Sequence, residues 1–119
     1  MSALVELESS LVEPGGSVAG AVHLAPAPGD EKRAVELSVL WETSGKGDTD
    51  QGVVLHQVLV DGDPGRARAD HRFRAALPLL PLTYDGNLIK IRWLVRVRRR
   101  IALGPDEIFD TEFVVRWTE

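Results

Sequence analysis

From Ile89 onward, apolar and polar residues take turns with a period of two. Ile89, Ile91, Trp93, Val95 and Val97 fall on one side; Lys90, Arg92, Leu94, Arg96, Arg98 and Arg100 fall on the other. Successive side chains of a β-strand point to opposite faces, so the pattern predicts a long strand with one face in a core and one in water. Its approach is punctuated by Pro78 and Pro81, and Tyr84-Asp85-Gly86-Asn87 reads as the turn that starts it. Arg99 is odd, because strict alternation puts it on the apolar side. Either the strand has left the core by then or a bulge intervenes.

The rest of the chain reads the same way. Ala3–Glu8 is a short strand, closed by the turn signal Glu13-Pro14-Gly15-Gly16. Ser17–Leu24 sets Val18, Gly20, Val22 and Leu24 against Ala19, Ala21 and His23, and Gly20 marks a bulge or a neighbouring backbone held close. The prolines of Ala25–Asp30 make that run a loop. Arg33–Thr43 puts Val35, Leu37, Val39 and Trp41 on one face and Glu36, Ser38 and Glu42 on the other. After the polar, exposed stretch Ser44–Gly52 comes Val53–Val60, a nearly continuous β-branched run, and then a turn at Asp61–Gly65. Ala69–Leu77 aligns His71, Phe73, Ala75 and Leu77. Beyond a turn at Ala102–Asp106, Glu107–Trp117 aligns Phe113, Val115 and Trp117.

Seven strands separated by turn signals, with no helical segment of ten residues, predict an all-β protein: an antiparallel β-sandwich with Greek-key connections. A small closed barrel is the competing architecture. At 119 residues the chain is one domain, residues 1–119, long enough for a real core. No apolar run approaches the roughly 20 residues needed to span a bilayer. No basic residue precedes Lys32, which is the wrong flank for a secretory signal, and the expected setting is cytoplasmic.

Charge changes the picture more than composition does. The net charge of -4 disfavours a general polyanion binder. Yet residues 1–31 hold Glu6, Glu8, Glu13, Asp30 and Glu31 without a Lys or Arg. Residues 88–101 hold Lys90, Arg92, Arg96, Arg98, Arg99 and Arg100 without an acid. Five of these cations, Lys90, Arg92, Arg96, Arg98 and Arg100, project from one face of the long strand and form the candidate partner-binding site. Something must compensate them. It can be Glu36 and Glu42, or Asp110 and Glu112, on neighbouring strands, or an anionic partner gripped by guanidinium forks. Nucleic-acid readers interleave stacking aromatics with the basic residues, whereas Trp93 lies on the opposite face. A protein with an acidic surface is therefore favoured over nucleic acid or membrane.

Chemistry of other kinds finds no support in the sequence. With no cysteine, disulfides and thiolate metal sites are excluded. His23, His56 and His71 sit on three different predicted strands without ligand-like spacing, so no metal or other cofactor is expected. There is no Gly-x-Ser-x-Gly elbow. The loops around Gly45-Lys46-Gly47-Asp48 and Asp61-Gly62-Asp63 lack the spacing of a calcium or phosphate loop. The expectation is a protein that is not an enzyme.

Several segments resemble arrestin-like domains. Pro14-Gly15-Gly16-Ser17-Val18-Ala19-Gly20-Ala21-Val22 is similar to the turn and Val-x-Gly-x-Val strand near the start of that family. Phe73–Pro78, Pro81–Gly86 and Ile89–Val95 are similar to its hydrophobic-Pro segment, its Pro-x-Ser/Thr-Tyr-x-Gly segment and the long strand that follows. The resemblance covers most of the chain. It implies an immunoglobulin-like β-sandwich and a non-enzymatic adaptor or scaffold. The family includes bacterial sporulation-control proteins, and most members carry two sandwiches in tandem where this chain has room for one. Gly86, Pro78, Pro81 and Trp93 match it in structural roles. The reading that results is a protein-interaction module working through a sheet surface or an exposed strand edge, with self-association through strand edges as a further expectation. Its alternative is a binder of anionic ligands, a phospholipid headgroup or nucleic acid, on the basic face.

Overall fold

The computed structural model describes residues 2–25, 34–47, 49–61, 70–100 and 104–118. The loops read at Ala25–Asp30 and Asp61–Gly65 lie, beyond their first residues, outside the described residues, as do Ala102 and Leu103 of the last turn. The alternating segments become β1 (Ser2–Leu7), β3 (Ser17–Ala25), β4 (Ala34–Gly45), β5 (Gln51–Asp61), β6 (Asp70–Ala76), β8 (Ile89–Arg99) and β9 (Glu107–Val115). Two further strands have two residues each: β2 (Leu11–Val12), between the first strand read and the turn signal at Glu13, and β7 (Tyr84–Asp85), in the stretch that reads as a turn.

The strands form a sandwich. One sheet has the order β1-β3-β6; the other runs β2-β9-β8-β4-β5, with β7 pairing the start of β8. All pairings are antiparallel except β2 with β9, where Leu11 and Val12 run parallel to Val114 and Val115. The long strand predicted at Ile89 is central, held by β4 on one side and β9 on the other. Its inward residues Trp93, Val95 and Val97 are fully buried, together with Leu37, Val39 and Val115 of its neighbours and Val18 and Val22 of the facing sheet. Each such side chain contributes about 1.5–3 kcal/mol by leaving water. Trp93 leans on Phe113 with ring centroids 5.9 Å apart. Its indole N–H donates to the Pro81 carbonyl at 2.9 Å, so the prolyl approach serves to satisfy a buried donor.

Two glycines are fixed by contact. A Cβ on Gly20 would lie 2.2 Å from the Glu6 carbonyl oxygen, so the neighbouring backbone is indeed held close there. A Cβ on Gly86 would lie 2.4 Å from the Tyr84 ring, which folds over the turn.

Three details depart from the reading of the sequence. Alternation persists through Arg99: the residue faces inward, is buried, and has its charge met by Glu107 across the β8–β9 ladder, so neither an early exit nor a bulge is required. Trp117 does not join Phe113 and Val115. The ladder stops at Val115, the Arg116 N–H bonds to the Val12 carbonyl and Thr118 bonds to Glu13, which carries Trp117 onto the surface at 61% exposure. Ile89, at the opening of β8, is exposed, and full burial on that strand begins at Trp93.

Candidate functional site

The five cations of the candidate site project, as alternation requires, from the outer face of the six-stranded sheet. Each meets a carboxylate. Lys90 lies 3.5 Å from Asp85 of β7. Arg92 donates from Nε to Glu42 Oε1 at 2.7 Å and from Nη1 to Glu112 Oε1 at 2.9 Å. Arg96 grips Asp110 with a fork, Nε to Oδ1 at 2.9 Å and Nη2 to Oδ2 at 3.1 Å, and lies 3.6 Å from Glu42. Arg100 donates from Nε to Glu36 Oε2 at 2.8 Å, and His56 Nε2 lies 3.1 Å from the other oxygen of the same carboxylate. Register explains the network: Asp85 stands opposite Lys90 on β7, Glu42 opposite Arg92 on β4 and Asp110 opposite Arg96 on β9, with Glu112 one diagonal step from Arg92 and Glu36 one from Arg100. All four acids that the sequence offered as internal partners, Glu36, Glu42, Asp110 and Glu112, are engaged.

Arg98 differs. Its guanidinium approaches Asp106 at 3.9 Å and, among the described residues, takes part in no hydrogen bond. The electrostatics follow the geometry. The hydrogen bond from Arg100 holds the Glu36 carboxyl below its usual range, with His56 assisting and burial opposing. Arg92, Arg96 and Arg100 are held more firmly protonated, first by hydrogen bonds to Glu112, Asp110 and Glu36 respectively.

This outer face is not simply a wet one. Leu94, between Arg92 and Arg96, is 0% exposed, and Leu40, its partner on β4, is 2% exposed. By register they are ringed by Arg92, Arg96, Glu112 and Val53, and the aliphatic stems of long charged side chains are able to cover apolar surface of this kind.

Beside this network runs β5, the edge of the large sheet. It pairs with β4, and among the described residues nothing pairs with its other side. Two register shifts, opposite Val35/Glu36 and Val39/Leu40, leave Leu59 and Val54 as extra residues on β5. These bulges turn Val54, Leu55 and Leu59 toward the core and leave Val53 and Val58 outside, 52% and 57% exposed. The edge escaped notice in the sequence, where Val53–Val60 reads as a nearly continuous β-branched run. Its broken alternation was the available signal. Between β5, β4 and β8 lies a cavity of about 350 Å³, lined by Leu40, Val53, Ser38 and Gln51 with Arg96, Arg98 and Arg100 above.

The smaller sheet offers a groove of about 560 Å³ floored by Ala19, Gly20 and Ala21, with Glu6 and Glu8 on one wall and Arg72 and Arg74 on the other. Glu8 and Arg74 lie 3.6 Å apart across it. His23 Nδ1 is 2.9 Å from Asp70 Oδ1 and Nε2 is 3.7 Å from Glu6, which raises the His23 pKa, Asp70 being the main cause. His71 faces inward with its Nε2 unbonded among the described residues. No group of three or more His, Asp or Glu side chains among the described residues is placed to hold a metal, and no helix among them is long and apolar enough to cross a membrane.

No family model and no curated protein matches the sequence. Solved structures do match. One is the crystal structure of Spo0M, a sporulation control protein from Bacillus subtilis, with a TM-score of 0.61 at 17% identity over 98% of this chain. The chain spans about half of that protein, 49% of its length. At that identity the likeness speaks for architecture, and it agrees with the two packed sheets described above: the chain has the arrestin-like β-sandwich fold.

Proposed function

We propose that this chain is a non-enzymatic protein-interaction module whose partner adds an extended segment to the free edge of β5. One observation carries the reading: an eleven-residue edge strand, Gln51–Asp61, with no Lys, Arg or Pro in it, that leaves Val53 and Val58 in solvent. Natural sheet edges are blunted by Lys, Pro or β-bulges; this one has bulges but neither Lys nor Pro, and the regular stretch between the bulges is a template for strand addition. Main-chain hydrogen bonds would supply affinity and alternate side chains selectivity. The bulges limit regular pairing to Leu55–Val58 with its flanks, so the bound segment is short. That Spo0M is described as a control protein is compatible with a module acting by contact. A cytoplasmic setting is part of the same proposal. The alternative, an anionic ligand gripped by all five cations, draws less support because carboxylates already stand against them.

The test is selection of a random 12-residue peptide library on the immobilised chain and on a Val53→Lys/Val58→Lys variant whose circular dichroism is unchanged. The wild type is expected to enrich segments with alternating β-branched or aromatic residues, and the variant to bind them at least about tenfold less well, a loss of about 1.4 kcal/mol. Absence of enrichment, or equal binding by the variant, overturns the reading. Sedimentation of the same two proteins shows whether a second copy competes for the edge.

A further inference from the structure

The cavity between β4, β5 and β8 combines features that neither the ion-pair network nor the strand edge explains. Its floor is apolar, made by Leu40 and Val53, and Ser38 and Gln51 add a hydroxyl and an amide. Its volume, about 350 Å³, is at the lower end of small-molecule sites. Its charged rim is unevenly matched. Arg96 is forked onto Asp110 and Arg100 donates from Nε to Glu36, while Arg98 has, among the described residues, Asp106 alone, at 3.9 Å, beyond hydrogen-bonding distance.

We infer that this cavity is a binding site for a small aliphatic monocarboxylic acid, its carboxylate seated on the fork of Arg98 and its hydrocarbon body on Leu40 and Val53. A guanidinium with unused donors matches the planar carboxylate, two parallel N–H···O bonds being the favoured geometry. The charge argues for one negative charge and not two. A phosphate monoester carries about -1.5 to -2 at neutral pH and would have to approach Glu36, which lines the cavity, and Asp110 and Glu42, which stand beside Arg96, with one weakly engaged cation to receive it. The floor argues against a bare inorganic anion, which would leave the exposed side chain of Val53 facing water. The site stands independently of the edge reading, since no step in it requires a partner strand on β5.

Amide NMR spectra of the intact chain, titrated with isobutyrate, isobutyl phosphate and isobutanol, test this. Isobutyrate is expected to give saturable shifts confined to Ser38, Leu40, Val53, His56 and Arg98, with isobutyl phosphate and isobutanol each at least about fivefold weaker. Arg98→Gln, at a half-buried position whose loss leaves the Arg92, Arg96 and Arg100 pairs in place, is expected to weaken isobutyrate about tenfold, as loss of charge-assisted hydrogen bonds does. Val53→Trp fills the cavity without touching a charge and is expected to abolish the same shifts. Non-saturating shifts, equal affinity in Arg98→Gln, or phosphate binding more tightly than carboxylate each overturn the assignment.

Discussion

The two solvent faces of the sandwich are built from the same kinds of residue and behave differently. On the large sheet, acids and arginines are cross-bridged at hydrogen-bonding distance over two leucines that water does not reach. On the small sheet, Glu6, Glu8, Asp70, Arg72 and Arg74 are exposed, and pairs such as Glu8–Arg74 sit at 3.6 Å over a floor of alanine. Width is the cause. In a sheet of six strands, outward residues of β4 and β8 have neighbours on both sides, so long side chains pack against one another. In a sheet of three, β3 alone is flanked twice, and its outward Ala19 and Ala21 are too short to be built upon. An outward position is therefore a solvent position at the rim of a sheet and something closer to a core position at its middle.

The sharpest break of that comparison is a leucine truncation on each face. Leu94→Ala, outward but fully buried, is expected to cost about 2–5 kcal/mol, as core truncations do. Leu4→Ala, outward and exposed on β1, is expected to stay within about 0.5 kcal/mol. Urea unfolding midpoints of the two variants decide it. A cost at Leu94 no larger than at Leu4 would mean that the arginine stems do not seal the face.

How far the sequence led can be judged from these same residues. Period-two patterning is a property of the strand, so alternation placed Trp93, Val95 and Val97 inward and the five cations outward, and it held through Arg99, where the reading hesitated. It also offered Glu36 and Glu42, or Asp110 and Glu112, as internal partners beside the alternative of an anionic ligand, because cross-strand neighbours can be guessed once strands are. Burial of Leu94 was not legible, since it depends on how many strands stand beside β8. The bulges of β5 were hidden for a related reason. In the apolar pairs that flank His56 and Gln57, an extra residue changes no hydrophobic label, although it changes which side chain meets water. Trp117 was misplaced because alternation cannot say where a ladder stops.

A smaller contrast is expected between ion pairs. Arg96→Met removes a fork from Asp110 in a half-buried setting and leaves that carboxylate without its main partner. Charge-assisted bonds of this kind carry about 1.5–3 kcal/mol, and partial exposure of the pair brings the expected loss toward about 1–2 kcal/mol. Arg74→Met breaks an exposed pair at 3.6 Å, worth about 0–1 kcal/mol. A double-mutant cycle with Asp110→Leu, set beside one with Glu8→Leu, measures the two couplings directly. Equal couplings would show that packing of the face adds nothing to its electrostatics.

The faintest expected difference is one of sign. His23 on the small sheet has its pKa raised above 6.5, chiefly by the hydrogen bond to Asp70 and further by the charges of Asp70 and Glu6, burial opposing. A raised histidine stabilises the fold fully below its unfolded pKa, and that contribution fades as pH rises through the folded value. Glu36 on the large sheet has its pKa lowered below 4.5, so its contribution is present above that pH and fades as pH falls through the folded value. The thermal midpoint of wild type minus that of His23→Gln is therefore expected to be positive at pH 5.5–6.0 and to shrink above neutrality. The difference from Glu36→Gln is expected to be flat over that range and to shrink below pH 4.5. Both groups are linked to other strands, His23 to β1 and β6 and Glu36 to β5 and the end of β8, so each difference reports on the cohesion of its own sheet. If the His23 difference grew with pH, the protonated ring would not be what ties the three strands together, and the small sheet would owe its stability to its inward face alone.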